Sequence, residues 1–336
     1  MIIYVNTSDI RGNMNIFITG GAGYIGSVLT RLLLSKNNNV RVLDNLLFDG
    51  EALTGVWSEP GFEFIRADIR DLEIVRKSLK NIDAVVHLAA IVGDPACSKN
   101  SDLASDVNLH GSLNLLEECK KQNISRFVFA STCSNYGKMD NSDSYVDENS
   151  ELKPVSHYAR TKVKVEKTIM NSEITKNVCA TSLRFATVFG VSPRMRFDLV
   201  VNEFPKEMLI RKHLIVFGEQ FWRPYIHVRD VGCAIMEVLN APKEMVRNKA
   251  FNVGSSEQNF KKIQIVSMIQ EHIPDARIEY VKKDEDPRDY RVNFSRFHNL
   301  FNFDTKINVK QGITEVIDLI NQGIISDPDN PKYRNS

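Results

Sequence analysis

Tyr158 and Lys162 stand four residues apart in Tyr158-Ala159-Arg160-Thr161-Lys162. On a helix that spacing sets a phenol and an ammonium side by side on one face. A neighbouring cation favours the phenolate, so the tyrosine can take a proton from a hydroxyl and later return it. The spacing alone also describes an ordinary surface pair. Its chemical reading depends on what lies nearby, and the segment Ser131-Thr132-Cys133-Ser134-Asn135-Tyr136-Gly137 supplies a hydroxyl-rich end to a predicted strand.

The partner for that chemistry is announced earlier in the chain. Ile16-Phe17-Ile18-Thr19 reads as a strand running into Gly20-Gly21-Ala22-Gly23-Tyr24-Ile25-Gly26, with glycines at 20, 23 and 26 and a helix-compatible run from Ser27 to Leu34 behind them. Glycines at this spacing close the turn, admit a pyrophosphate to the backbone and let helix and strand pack closely. The next predicted strand, Val40–Asp44, ends in the Asp44-Asn45 pair at the offset expected of a ribose ligand. A carboxylate there accepts from the 2′- and 3′-hydroxyls and repels a 2′-phosphate, which favours NAD over NADP. A third strand, Phe62–Ala67, leads to Asp68-Ile69, placed to flank the adenine. With a nicotinamide in reach, Tyr158 can take a hydroxyl proton while the carbon beneath gives up a hydride.

Strand and helix signals alternate through the first half: a helix over 72–79, the buried strand Ala84–Leu88, a long helix over 101–121, the strand Arg126–Ala130, a helix over 157–172 and the strand Cys179–Phe185. This repetition predicts an α/β, Rossmann-type doubly wound parallel sheet with ligands at the carboxyl ends of its strands. Past Ser192 the prolines multiply and the pattern loosens. The expected organisation is an N-terminal extension over 1–13, a dinucleotide-binding domain over 14–191 carrying the catalytic residues, and a smaller C-terminal substrate lobe over 192–336 interleaved with the last strands of the sheet. The net charge of +1, with 43% hydrophobic and 25% charged residues, carries no nucleic-acid or membrane signature. No signal-peptide layout is present, and five scattered cysteines without ligand spacing fit a reducing cytoplasm and no metal site.

Together these segments resemble the extended short-chain dehydrogenase/reductase superfamily, and within it the nucleotide-sugar epimerases and dehydratases. The resemblance runs from about Met14 to Phe303 and adds His87-Leu88-Ala89-Ala90, Asn108 and Arg223-Pro224-Tyr225-Ile226-His227-Val228-Arg229-Asp230 to the motifs above. It implies bound NAD, with His87–Ala90 lining the cofactor and Asn108 at the family's helix asparagine. It implies that Thr132 hydrogen-bonds the sugar oxygen that Tyr158 deprotonates, and that Lys162 also holds the nicotinamide ribose. Arg223, Arg288 and Asn202 match positions near the substrate diphosphate.

Departures narrow the chemistry. Members that dehydrate or decarboxylate a sugar resemble Ser-Thr-Asp-Glu or Ser-Thr-Ser-Glu at the strand end, whereas this chain has Cys133 and Ser134. Neither is a carboxylate acid. The layout is closest to the 4-epimerases, yet Thr187 stands where asparagine is common, and Asp94 and Cys97 lie in an atypical loop facing the sugar pocket. The expected substrate is a nucleoside diphosphate sugar, whose diphosphate suits planar guanidinium groups. The expected reaction is hydride transfer at C4 with net epimerisation. A net 4-dehydrogenase or ketosugar reductase uses the same residues, and a non-catalytic nucleotide sensor is the reading from another class. Apolar residues Leu103, Val107, Leu113, Leu116, Val163, Val165 and Ile169 on the 101–121 and 157–172 helices predict a homodimer through a four-helix interface.

Overall fold

Short runs of β-branched and aromatic residues alternate with amphipathic helices, and the chain winds them into a parallel sheet covered on both faces. The computed structural model describes residues 13–139, 144–282 and 288–335, except for the side chains of Asp94 and Pro95. Residues 1–12 of the expected extension lie outside the described residues. The strands are β1 (Asn15–Thr19), β2 (Asn39–Asp44), β3 (Phe62–Arg66), β4 (Ala84–His87), β5 (Arg126–Thr132) and β6 (Cys179–Phe185). They continue as β7 (Thr187–Phe189), β8 (His213–Phe217), β9 (Trp222–His227), β10 (Lys249–Val253), β11 (Asn259–Lys261) and β12 (Arg277–Val281). Seven of them form one sheet in the order β10-β6-β5-β4-β1-β2-β3. Every pairing in it is parallel.

Alternation along each strand divides the interior between the two faces. Ile16 and Ile18 of β1 join one hydrophobic core, with Val40, Val42, Val86 and Val128. Phe17, between them, joins the other, with Val85, Phe127 and Phe129. The strands β4 and β6 are buried along their whole length, as helices on both faces require. Strand order reverses between β1 and β4, where the crossovers leave in opposite directions and a crevice opens at the carboxyl ends.

The second half is a smaller set of sheets threaded back into the first. The strands β11-β9-β7 form a three-stranded sheet and β12-β8 a parallel pair. The helices Val200–Arg211, Lys262–Gln270 and Val309–Asn321 cover a core containing Phe204, Met208, Ile265, Ile269 and Ile313. The strand β10 then returns to the large sheet beside β6. The helix Val228–Asn240 lies on the helix Tyr24–Leu34, so close that a Cβ on Gly232 would stand 2.6 Å from Leu32.

Two expectations change. The helix predicted over 101–121 is three pieces: Ser101–Ser105, a π-helical turn Asp106–Gly111 and Ser112–Lys121. The Ser112 hydroxyl donates to the Asn108 carbonyl at 2.7 Å, and the Asn108 side chain is engaged elsewhere, so a widened turn settles there. Of the apolar residues expected at a dimer face, Leu116, Val163, Val165 and Ile169 are already buried within one chain. Only Leu103, Val107 and Leu113 remain half-buried. Among the described residues, no helix is long and apolar enough to cross a membrane.

Candidate functional site

The glycine turn after β1 is shaped by contact distances. Gly20 has φ +77°, and a Cβ there would stand 2.7 Å from the Ala89 nitrogen. A Cβ on Gly26 would meet the Gly20 carbonyl oxygen at 2.2 Å. Gly23 caps the helix Tyr24–Leu34 with no side-chain hydrogen bond, so the first amides of that helix keep their donors for a ligand. Asp44 accepts from the Ala22 amide at 3.0 Å and the Leu46 amide at 2.9 Å, which aims its carboxylate into the crevice. Burial raises its carboxyl above the ordinary range against those two hydrogen bonds. Asp68 is clasped by the Arg70 guanidinium, which holds its carboxyl low, and takes a weaker bond from Asn45. A cradle closed to any Cβ, open helix amides and an oriented carboxylate fit a dinucleotide.

Beneath the turn, Thr19 Oγ1 lies 2.6 Å from His87 Nδ1, and His87 Nε2 lies 2.8 Å from Ser112 Oγ. Burial, aided by the Lys162 charge, pushes His87 down to about 3. It is therefore a neutral brace joining β1, β4 and the helix behind them, one layer back from the cleft.

The opposite wall is built by β5 and the helix His157–Met170, started by Ser156, whose hydroxyl accepts from the Ala159 amide. Lys162 is 2% exposed, donates from Nζ to the Ala130 carbonyl at 2.8 Å and lies 4.6 Å from the Phe129 ring centroid and 5.7 Å from that of Tyr158. Burial lowers its ammonium to about 7. Thr132 Oγ1 accepts from the Ser134 amide at 3.0 Å, which fixes its rotamer at the strand end. One helical turn beyond Lys162, buried Glu166 accepts from Ser131 at 2.9 Å and Ser182 at 3.0 Å and is clasped by Arg184. Arg184 also donates to the Tyr136 hydroxyl at 2.8 Å. This buried network stiffens the floor under that wall.

One cleft of about 760 Å³ joins these walls. Gly20, Gly23, Tyr24, Ile25 and Gly26 line it, as do Asp44, Asn45, Asp68 and Ile69. So do Leu88, Ala89 and Ala90 from the end of β4. Thr132, Ser134, Tyr158, Lys162, Thr187 and Arg288 complete the expected set on its surface.

Other expected residues lie off its walls. Asn108 is fully buried and holds the loop after β4, accepting from the Ile91 amide at 2.8 Å and donating to the Ile91 carbonyl at 2.9 Å. Cys133 points away, its thiol donating to the Arg184 carbonyl. Asn202 spends its amide on Gly190, Tyr24 and Arg196. Arg223 sits one layer back, donating to the Trp222 carbonyl, with its guanidinium 5.4 Å from the Tyr290 ring centroid. Asp94 begins the short helix Asp94–Lys99, and its side chain lies outside the described residues.

Cleft residues without a motif in the sequence include Tyr290, whose hydroxyl lies 3.3 Å from Ser134 Oγ, together with Arg194, Arg196, Arg334 and Asn335. These come from loops brought in by the second half of the fold, and no local spacing marks them.

Along most of its length the chain is similar to known proteins. A UDP-glucose epimerase of Bacillus subtilis (strain 168), itself uncharacterized, is 30% identical over 316 residues, covering 90% of this chain and 97% of its own. The UDP-glucose 4-epimerase of Thermotoga maritima, solved with UDP-glucose, superposes with a TM-score of 0.81 at 25% identity, covering 93% of this chain and 100% of that one. The UDP-glucose 4-epimerase of Thermus thermophilus, solved with NAD, gives 0.78 at 26% identity, covering 92% and 99%. The sequence profile of the NAD dependent epimerase/dehydratase family matches residues 16–254, through β1, the glycine turn, β5, the helix His157–Met170 and β10, and the chain belongs to that family.

Proposed function

We propose that this protein epimerises a nucleoside diphosphate sugar at C4, with the cofactor regenerated in each cycle. Membership of the family makes it an NAD-dependent enzyme that modifies nucleotide sugars. The observation that carries the finer reading is the wall itself. Thr132, Tyr158 and Lys162 meet in one cleft, while neighbouring positions 133 and 134 carry a buried thiol and a hydroxyl, not carboxylates. A dehydration or decarboxylation route lacks its carboxylate proton donor there.

NAD supplies a nicotinamide that accepts a hydride and returns it. In the proposed roles, the Tyr24–Gly26 amides and Asp44 hold its pyrophosphate and adenosine ribose, and Lys162 its nicotinamide ribose. Thr132 orients the sugar hydroxyl and Tyr158 takes its proton, with Lys162 favouring the phenolate. The small side chains of Ala186 and Thr187 and the Ser134 hydroxyl leave the ketosugar room to turn before Tyr158 hands the proton back. Arg288 on the cleft surface suits the substrate diphosphate.

The test is product analysis with UDP-, dTDP- and GDP-hexoses, with absorbance at the NADH band followed in parallel. Interconversion of C4 epimers without net NADH is expected. Net NADH accumulation, or a requirement for added reductant, overturns epimerisation in favour of a dehydrogenase or reductase.

A further inference from the structure

A buried cation lies at the cofactor end of the cleft with no carboxylate paired to it among the described residues. Arg194 is 5% exposed and lines the cleft. Its guanidinium lies 4.4 Å from the Phe48 ring centroid and makes one hydrogen bond among the described residues, from Nη2 to the Arg334 carbonyl at 3.2 Å. Its Nε has no partner among the described residues. Neighbouring Arg196 is by contrast satisfied, forked onto Asp198 at 2.9 and 2.6 Å. Burial lowers Arg194 to about 10, with the Arg196 charge adding to the effect and Asp198, Asp49 and Asp44 opposing it. An unpaired buried guanidinium is costly unless an anion completes it.

The place of Arg194 says which anion. Two residues upstream, the Ser192 hydroxyl donates to the Tyr24 carbonyl at 2.7 Å and lies 3.2 Å from Ser27 Oγ, stapling this loop to the first turn of the dinucleotide helix. Asp44 and Phe48 stand on its other side. Arg194 is thus caught between the helix end that suits a pyrophosphate and the carboxylate that suits the adenosine ribose. Asn335 also lines the cleft, with a buried Oδ1 that has no partner among the described residues.

Both residues are held by one segment. The Phe197 amide donates to the Tyr333 carbonyl at 2.8 Å, and their rings pack edge to face at 5.7 Å. The Asn335 amide donates to Asp198 at 3.2 Å. Lys332 then reaches across to Glu51, past the end of β2, at 2.7 Å. The segment therefore spans the cleft mouth from the 197–198 loop to the cofactor side.

We propose that Arg194 and Asn335 form the outer half of the cofactor's ribose–pyrophosphate site, and that residues 331–335 act as a strap retaining NAD. The proposal rests on the cofactor site described above and is independent of the epimerase reading.

The test is calorimetric titration of cofactor-stripped protein with NAD, ADP-ribose, adenosine, NADP, UDP and dTDP, together with NAD release rates from the loaded protein. Arg194→Gln is expected to bind NAD and ADP-ribose about 10–100-fold more weakly, the range for losing a charged hydrogen-bond donor, with adenosine, UDP and dTDP unchanged. Lys332→Met, which cuts the strap's exposed anchor, is expected to release NAD faster. Undiminished NAD affinity in Arg194→Gln overturns the assignment. So does a loss confined to UDP and dTDP, which would make Arg194 a substrate ligand, or one confined to NADP, which would make it a 2′-phosphate reader. If Arg194→Gln fails to fold, Lys332→Met decides alone, and unchanged release overturns the strap. A parent protein that binds no NAD removes the underlying site itself, a different failure.

Discussion

Lys162 is a buried cation whose surroundings are one carbonyl and two aromatic faces. Its ammonium titrates near 7 in the folded chain against an ordinary 10.5. Between those values the unfolded chain keeps a proton that the folded chain releases, so this residue's share of stability rises with pH and falls away as pH drops through about 7. Melting curves of cofactor-free parent and Lys162→Met from pH 6.5 to 9 should therefore show the parent gaining on the variant as pH rises; parallel curves would contradict it. Tyr158→Phe should keep the fold and NAD binding while turnover falls about 10²–10⁴-fold, the cost of a lost general acid/base. Near-normal turnover in that variant would place the base elsewhere. Asp44 should make NADP bind markedly more weakly than NAD in a calorimetric comparison, because a 2′-phosphate would meet its carboxylate; equal affinities would refute that. These residues were legible because their chemistry is written in local spacing: a phenol and an ammonium four residues apart, glycines at every third position from 20 to 26, and an acid at the end of the next strand. Glu166, Arg194 and Asn335 were not. Each works through partners far along the chain, and an arginine in an irregular loop carries no mark of the cleft it will face.

The strand–turn–helix element leaves one substitution no room. A Cβ on Gly26 would stand 2.2 Å from the Gly20 oxygen and 2.6 Å from the Gly21 Cα, both backbone atoms that cannot swing aside. Gly26→Ala should lift the helix off the turn, destabilising the protein by about 1–3 kcal/mol, as overpacking does, and weakening NAD binding. Thermal unfolding without cofactor and calorimetry with it read the two effects separately, and an unchanged variant would mean the helix can slide. The parallel sheet and the places of its first six strands along the chain followed from alternating strand and helix signals. The π-helical turn did not, because it arises from Asn108 reaching the Ile91 backbone across loops that a helical period cannot see. The same limit bears on Asn202: the resemblance puts its side chain or its backbone at the diphosphate, and here the side chain fastens Gly190 to Tyr24.

For the whole molecule, light scattering is expected to give twice the 38.2 kDa chain mass, with Leu103, Val107 and Leu113 at the two-fold contact. Most of the apolar surface once available for that contact is spent inside the subunit, so Leu113→Asp should suffice to separate the chains. A parent that scatters as a single chain at micromolar concentration would refute the dimer.

The return of β10 to the edge of β6 also bears on how the protein is made. During synthesis from the amino end, β6 is complete once Phe185 has emerged, yet its outer neighbour is still more than sixty residues away in the sequence. Throughout that interval the nascent sheet presents an unpaired edge, with apolar residues awaiting the helix Val228–Asn240. Edges of that kind recruit other strands. The ribosome-bound chain is thus most exposed to misassembly while residues 186–248 emerge, and a stall in that stretch would harm it more than one after Val253 has emerged.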